Sequence, residues 1–134
     1  MNKYHSYIIL LAGMLVILFV GPYGDFPLND DWRYGYMVRS LAEGQGFALN
    51  SEIAPTLLLQ ALWGYAFVWL GGDFSFSLLR ISTLVMAVLA LWGLHKILRD
   101  FRREQSIWRG IALLALNPIF FVLAFSFMTD VPFL

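Results

Sequence analysis

The sequence predicts an all-α membrane protein with about three transmembrane helices and further helices in an outer, juxtamembrane loop. Of the 134 residues, 60% are hydrophobic and 13% are charged, whereas a typical soluble domain has about 45–50% apolar and 25% charged residues. The apolar residues form runs of the length that a bilayer crossing requires. A short basic loop and a long acidic loop separate these runs, and this difference in charge predicts their orientation.

Three runs are predicted to span the membrane, because each approaches the roughly 20 apolar residues that the hydrocarbon core requires. For residues 7–23 we expect a retained helix and not a cleaved signal peptide, because Pro22 stands where a peptidase needs an extended, accessible chain. Residues 77–98 are long enough to cross. Residues 107–127 contain Pro118 near their middle, which removes a backbone hydrogen bond and predicts a bent span.

A fourth apolar stretch, residues 56–70, is too short for a full crossing. It gives about 22 Å of helix against a hydrocarbon core of about 30 Å. Trp63, Tyr65 and Trp69 lie in it, and such aromatic side chains favour the headgroup boundary. We therefore expect a helix lying in the interface, steeply inclined to the membrane normal. A re-entrant segment or a tilted short span is the alternative.

The charged residues predict which side of the membrane each loop faces. Arg99, Arg102 and Arg103 make the loop between the second and third spans basic, and short basic loops are usually cytoplasmic. The outer loop, residues 24–76, has six acidic and two basic residues and is expected to carry interfacial helices. In this topology Asp130 lies outside as well.

Composition also excludes several classes of function. Nine lysine and arginine residues balance nine aspartate and glutamate residues, so no overall basic field attracts nucleic acid. The chain has no cysteine, which excludes disulfides, thiolate metal sites and thiol nucleophiles.

The acidic pair Asp30-Asp31 opens a predicted amphipathic helix. Asn29 or Asp30 can accept hydrogen bonds from first-turn amides, and Gly44 can end the helix. One apolar face is predicted, at positions i, i+3, i+4 and i+7, from Tyr34, Met37, Val38 and Leu41. Adjacent carboxylates repel each other, and a helix cap requires only one of them. The second carboxylate is therefore available to bind a cation, Arg33 or a substrate hydroxyl. The residues alone leave capping and a functional role as alternatives.

Asp130 is the second candidate site. It follows an apolar run rich in aromatic residues, and an acid within hydrocarbon is costly and therefore a functional candidate by default. If Asp130 instead lies at the headgroup level, it can cap a following helix that has Pro132 in its early turn.

The order of these features resembles a known family. Asp30-Asp31-x-Arg33-Tyr34 follows a first membrane helix, Pro55 opens a short aromatic helix, Arg80 opens the next span, and Asp130 with a nearby proline follows the basic loop. This order is similar to the N-terminal part of the GT-C membrane glycosyltransferases, in the branch of protein O-mannosyltransferases and lipid A aminoarabinose transferases. The resemblance covers almost the whole chain.

The resemblance implies an integral membrane enzyme, with its active face on the extracytoplasmic side of the bacterial inner (plasma) membrane. Such an enzyme transfers a sugar, with inversion, from a polyprenyl-phosphate carrier to a hydroxyl of a lipid, glycan or protein acceptor. Its partners are this donor, the acceptor and membrane lipids. Because the family's chains are several times longer, the resemblance also implies that residues 1–134 are the N-terminal part of a GT-C transmembrane domain and are not active alone.

By motif position, the resemblance assigns the site residues. Asp30 matches the catalytic acid, Asp31 its acidic neighbour, Arg33 the arginine that follows, and Asp130 the acid of the second outer loop. The expected substrate-binding residues are Asp31, Arg33 and Tyr34. For Arg33 the alternatives are contact with the phosphate, orientation of the carboxylates and an ordinary surface ion pair. A carboxylate that accepts the proton of the acceptor hydroxyl is the least that sugar transfer requires. The leaving phosphate needs a cationic partner, either an arginine or a divalent metal ion, and Asp31 with Asp130 is the expected pair that holds the metal or organises the phosphate.

The sequence also suggests roles for Arg80 and for the segment 53–55. Arg80 is predicted to be structural, with its side chain extending to the outer headgroups. Ile53-Ala54-Pro55 stands where relatives often have a basic residue before proline, so the contact with the donor phosphate is expected to differ. The alternatives to the enzyme are a segment of a transporter or flippase and a non-catalytic membrane subunit.

Overall fold

A computed structural model describes residues 15, 17–28, 30–47, 58–101 and 104–132. In that part the chain is mainly helical and has no strand, which confirms the all-α prediction. After a helical stretch at 17–20, the helices are α1 (Asp31–Ala42), α2 (Leu58–Gly71), α3 (Phe76–Phe101), α4 (Glu104–Ala115) and α5 (Pro118–Ala124).

Within the described residues, one helix is long and apolar enough to cross a bilayer, Phe76–Asp100 in α3. The α4 and α5 helices add a second crossing only if they are taken together as one broken span, bent by 63°. With 14 residues, α2 is about 21 Å long and shorter than the hydrocarbon core. Most of the predicted span 7–23 lies outside the described residues, so three spans stay a prediction.

The amphipathic helix predicted around the acidic pair is α1. Met37 and Val38 are fully buried, while Tyr34 and Leu41 are half-buried, so the predicted apolar face is confirmed. Gly44, with φ of 74°, ends the helix as predicted. Its N–H donates to the carbonyl of Leu41, and the next N–H donates to the carbonyl of Ser40, which is the Schellman pattern.

The α2 and α3 helices are joined by a short turn. Gly72 occupies the turn with φ of 90°, a conformation that favours glycine. Near the start of α3, the indole N–H of Trp63 donates to the carbonyl of Ser82 at 3.0 Å. Gly64 allows close packing, because a Cβ there would lie 3.1 Å from a methyl of Leu79. The short helix therefore packs on the first turns of α3.

The α4 and α5 helices return along α3 in the opposite direction. At the far end of α3, the rings of His95 and Trp108 lie 5.8 Å apart. Further back, Ala87 packs in one cluster with Phe120 and Val131. The break between α4 and α5 falls at Asn117, as the Asn-Pro pair predicts, and its side chain caps α5.

The return of the chain brings distant segments to one end of α3. A second core cluster joins α1, α2, the start of α3 and the segment after α5, through Met37, Val38, Ala61, Val68, Leu79 and Phe127. We call this the acidic end and define it as residues 22–28, 30–47, α2, 76–83 and 125–131. The basic end comprises residues 92–100 and 107–111, with Lys96, Arg99 and Arg109.

Candidate functional site

Asp30 occupies the N-cap position of α1, yet its side chain makes no capping hydrogen bond to the described first turn. The capping interpretation is therefore wrong for Asp30, while Asn29 lies outside the described residues. The carboxylate is 57% exposed, and its Oδ1 lies 4.0 Å from Nε of Arg33. The carboxylate of Asp30 therefore lies at the surface, with the guanidinium of Arg33 one turn away.

Asp31 lies in a contrasting environment, although it is the adjacent residue. It is fully buried, and its Oδ1 accepts the backbone N–H of Leu28 at 2.9 Å. This bond ties the chain before the helix to the first turn of α1. A negative charge in the first turn also interacts favourably with the positive end of the helix dipole.

The next two candidates point in different directions from α1. Arg33 is half-exposed, and its guanidinium lies 5.2 Å from the ring centre of Trp32. Tyr34 is half-buried and packs against the core cluster of the acidic end. The structure thus places Asp30 and Arg33 together at the surface, whereas Asp31 and Tyr34 lie further inside.

Asp130 lies on the turn that follows α5, and its side chain is exposed. The buried side chains of Phe127 and Val131 on either side anchor this turn in two core clusters. Among the described residues, no group of three or more histidine, cysteine or acidic side chains is arranged to hold a metal ion. The donor set present therefore gives no basis for a step through a metal, and a site formed by Asp31 with Asp130 stays a prediction.

Arg80 does not extend to the headgroups as predicted. Only 2% of it is exposed, and its guanidinium lies under the segment that precedes α1. Nη1 donates to the carbonyls of Pro22 at 3.4 Å and Gly24 at 2.8 Å, and Nη2 donates to the carbonyl of Phe26. The snorkelling prediction is wrong because these carbonyls, in a segment without regular structure, need donors of their own.

Asp25 belongs to the same arrangement and was not singled out by the sequence. Its Oδ1 accepts the N–H of Phe76, the first residue of α3, at 2.8 Å. The available signal was the segment Gly21-Pro22-Tyr23-Gly24-Asp25-Phe26-Pro27. A run this rich in glycine and proline forms neither a helix nor a strand. Its backbone N–H and C=O groups therefore bind side chains, helix ends or water.

Gln60 is the other polar residue that the sequence did not reveal. It is 6% exposed inside the apolar helix α2, and its Nε2 donates to the carbonyl of Phe127 at 3.3 Å. A buried amide in an otherwise apolar helix is the signal that points to such a contact. Gln60 therefore links α2 to the segment that carries Asp130.

The far end of α1 carries an exposed ion pair. Nε of Arg39 donates to Oε1 of Glu43 at 2.7 Å. This hydrogen bond raises the pKa of Arg39 above its ordinary value. Arginine is already protonated at every physiological pH, so the Arg39 guanidinium keeps its positive charge.

Comparisons of the chain with protein-family models, with curated proteins and with solved structures find no match. Any functional conclusion therefore rests on the residues and their geometry.

Proposed function

We propose that the protein is a membrane glycosyltransferase, or part of one, that transfers a sugar from a polyprenyl-phosphate carrier to an acceptor hydroxyl. The observation that carries this proposal is the exposed carboxylate of Asp30, which stands at the start of α1 without capping it. The order of motifs along the sequence, which resembles the GT-C family, supports the choice of reaction.

In the proposed reaction, the carboxylate of Asp30 accepts the proton of the acceptor hydroxyl as its oxygen attacks the anomeric carbon. The bond between that carbon and the phosphate oxygen breaks, and the polyprenyl phosphate leaves with the electron pair. Attack opposite the leaving group inverts the anomeric configuration. Arg33, 4.0 Å from Asp30, is suited to stabilise the phosphate charge as it develops.

The proposed topology places this chemistry outside the cytoplasm. Residues 7–23, 77–98 and 107–127 serve as three spans, and α2 lies in the outer interface. The basic end then faces the cytoplasm, in accordance with the positive-inside rule. Asp30 and Asp130 face the outer side, where carrier lipid and acceptor meet.

The test is sugar transfer by the full-length protein in membranes, with Asp30→Asn compared with wild type. Asparagine keeps the size of the side chain but accepts no proton, so turnover should fall by about 10²–10⁴-fold. Asp30→Ala should lose as much, and both variants should reach wild-type abundance because the carboxylate does not cap α1.

Asp73→Asn is the matched control, because Asp73 is also an exposed acid of the predicted outer loop, residues 24–76. It should retain turnover. Wild-type turnover in Asp30→Asn would refute the catalytic assignment.

A second candidate is a transporter segment, favoured by the break of 63° between α4 and α5. Discontinuous helices commonly form substrate and ion sites in transporters. In that case Asp30→Asn would abolish substrate accumulation in sealed vesicles, and no glycosylated product would form with any donor.

A further inference from the structure

The most elaborate polar arrangement in the described residues surrounds Arg80 and not the acids themselves. Its guanidinium is buried, binds three backbone carbonyls of one segment, and lies 5.0 Å from the ring centre of Phe26. Since the bonded carbonyls belong to residues 54 to 58 positions earlier in the sequence, these bonds fix tertiary structure. We propose that Arg80 is a positioning residue that fixes the N-terminus of α1, and with it the carboxylate of Asp30.

The guanidinium of Arg80 has a shape suited to binding several carbonyls at once. A guanidinium has five N–H donors in a rigid plane, so one side chain can bind several carbonyls in a defined geometry. The carbonyls of alternate residues, Pro22, Gly24 and Phe26, converge on it. Gly24 permits this path, because it has φ of 114° and a Cβ there would collide with the ring of Phe26.

A short stretch of backbone, residues 26–28, connects Arg80 to Asp31. Arg80 holds the carbonyl of Phe26, and the next residue, Pro27, has a ring that fixes its φ. The following N–H, of Leu28, donates to Oδ1 of Asp31 at 2.9 Å. Only one freely rotating backbone angle, ψ of Pro27, therefore separates the peptide plane held by Arg80 from the one that holds Asp31.

A second attachment, made by Asp25, ties the same segment to α3. The carboxylate of Asp25, from the same segment, accepts the first N–H of α3 at 2.8 Å, and Arg80 lies one turn later in that helix. The segment is thus bound at two points to α3. Because Asp30 directly precedes Asp31, this double attachment sets the position of the backbone from which the Asp30 carboxylate projects.

The test replaces Arg80 with lysine in the full-length protein and measures amide hydrogen exchange at Leu28. A lysine retains the charge but has one compact ammonium that cannot hold three spaced carbonyls. We expect exchange at Leu28 to accelerate by at least about tenfold. The inference rests on the proposed function for its second readout: kcat should fall by about 10²-fold with KM for the acceptor unchanged.

Gly24→Ala is the second variant, since it disturbs the segment while Arg80 stays in place. It should change exchange and kcat in the same direction, so a folding failure of Arg80→Lys does not remove the test. Arg109→Lys, an exposed arginine at the basic end, is the control and should change neither quantity.

The outcomes separate the two proposals. Unchanged exchange at Leu28 in Arg80→Lys overturns the positioning role, and so does loss of turnover with unchanged exchange, because Arg80 then acts on the substrate directly. Faster exchange in both variants, with no sugar transfer by the wild-type protein, supports the positioning role and refutes the proposed function.

Discussion

At the acidic end of α3, side chains form hydrogen bonds with the backbone of distant segments. At the basic end, the described contacts between α3 and α4 are made by rings and methyl groups. Arg80, Asp25 and Gln60 each bind a backbone group more than fifty residues away. At the basic end, the ring of His95 is tilted by 42° against that of Trp108, and Leu98 approaches Gly110.

This difference indicates where the molecule requires defined positions. Directional bonds fix angles as well as distances, whereas apolar contacts tolerate sliding and rotation. The exposed candidate acids, Asp30 and Asp130, lie at the end with directional bonds, whereas the exposed Arg109 lies at the end without them. A catalytic site requires side chains held at defined angles by directional bonds. A charge that only orients a protein in a membrane does not.

The proposed topology predicts the largest difference between the two ends: an impermeant reagent outside the cell should reach the acidic end and should not reach the basic end. The chain has no cysteine, so single cysteines report without background. In intact cells an impermeant maleimide should label Asp73→Cys and Asp130→Cys, and it should label Arg109→Cys only after lysis; all three positions are exposed, unlike Asp31. Labelling of Arg109→Cys but not of Asp130→Cys in intact cells would reverse the proposed orientation.

Two glycines, Gly64 in α2 and Gly93 in α3, allow the packing of these helices to be compared. A Cβ on Gly64 would lie 2.6 Å from the ring of buried Phe127, whereas nothing lies within 4 Å of a Cβ on Gly93. Gly64→Ala should therefore destabilise the protein by about 1–3 kcal/mol. Gly93→Ala should stabilise it by about 0.5–1 kcal/mol, because alanine loses less backbone entropy in a helix. Thermal unfolding in detergent measures both, and equal shifts would contradict the difference in packing.

The smallest expected effect compares the two N-cap residues. Oδ1 of Asn117 accepts the N–H groups of Ile119 at 2.9 Å and Phe120 at 3.2 Å, while the Asp30 side chain makes no such bond within the described residues. Asn117→Ala should cost about 1 kcal/mol of stability. Asp30→Ala should leave the unfolding temperature unchanged. A stability loss in Asp30→Ala as large as that in Asn117→Ala would restore capping as its role.

Sequence reasoning succeeded where a local rule determines the structure. The period of apolar residues predicted the buried face of α1, and Gly44 predicted its end. The Asn-Pro pair predicted the break before α5. Each of these features depends on residues within one or two turns of each other, so the local sequence contains the information.

It failed where the structure depends on groups that only the fold brings together. Arg80 was expected to extend to headgroups, because the nearby chain offers no partner, and its actual acceptors precede it by more than fifty residues. Asp30 was given capping as one of two interpretations, because position alone does not reveal which rotamer the carboxylate adopts. Whether the proposed reaction takes place stays a prediction for the full-length protein.

The core cluster at the acidic end has a consequence for how the chain can vary. Asp30 and Asp130 stand a hundred residues apart in the sequence, but the segments that carry them share one support, since Phe127 packs with Met37 of α1 and is bound by Gln60 of α2. Their separation is thus set by side-chain contacts and not by the length of the intervening chain. Insertions between α3 and α4 should leave the spacing of the two acids unchanged, so this connection is free to diverge in length.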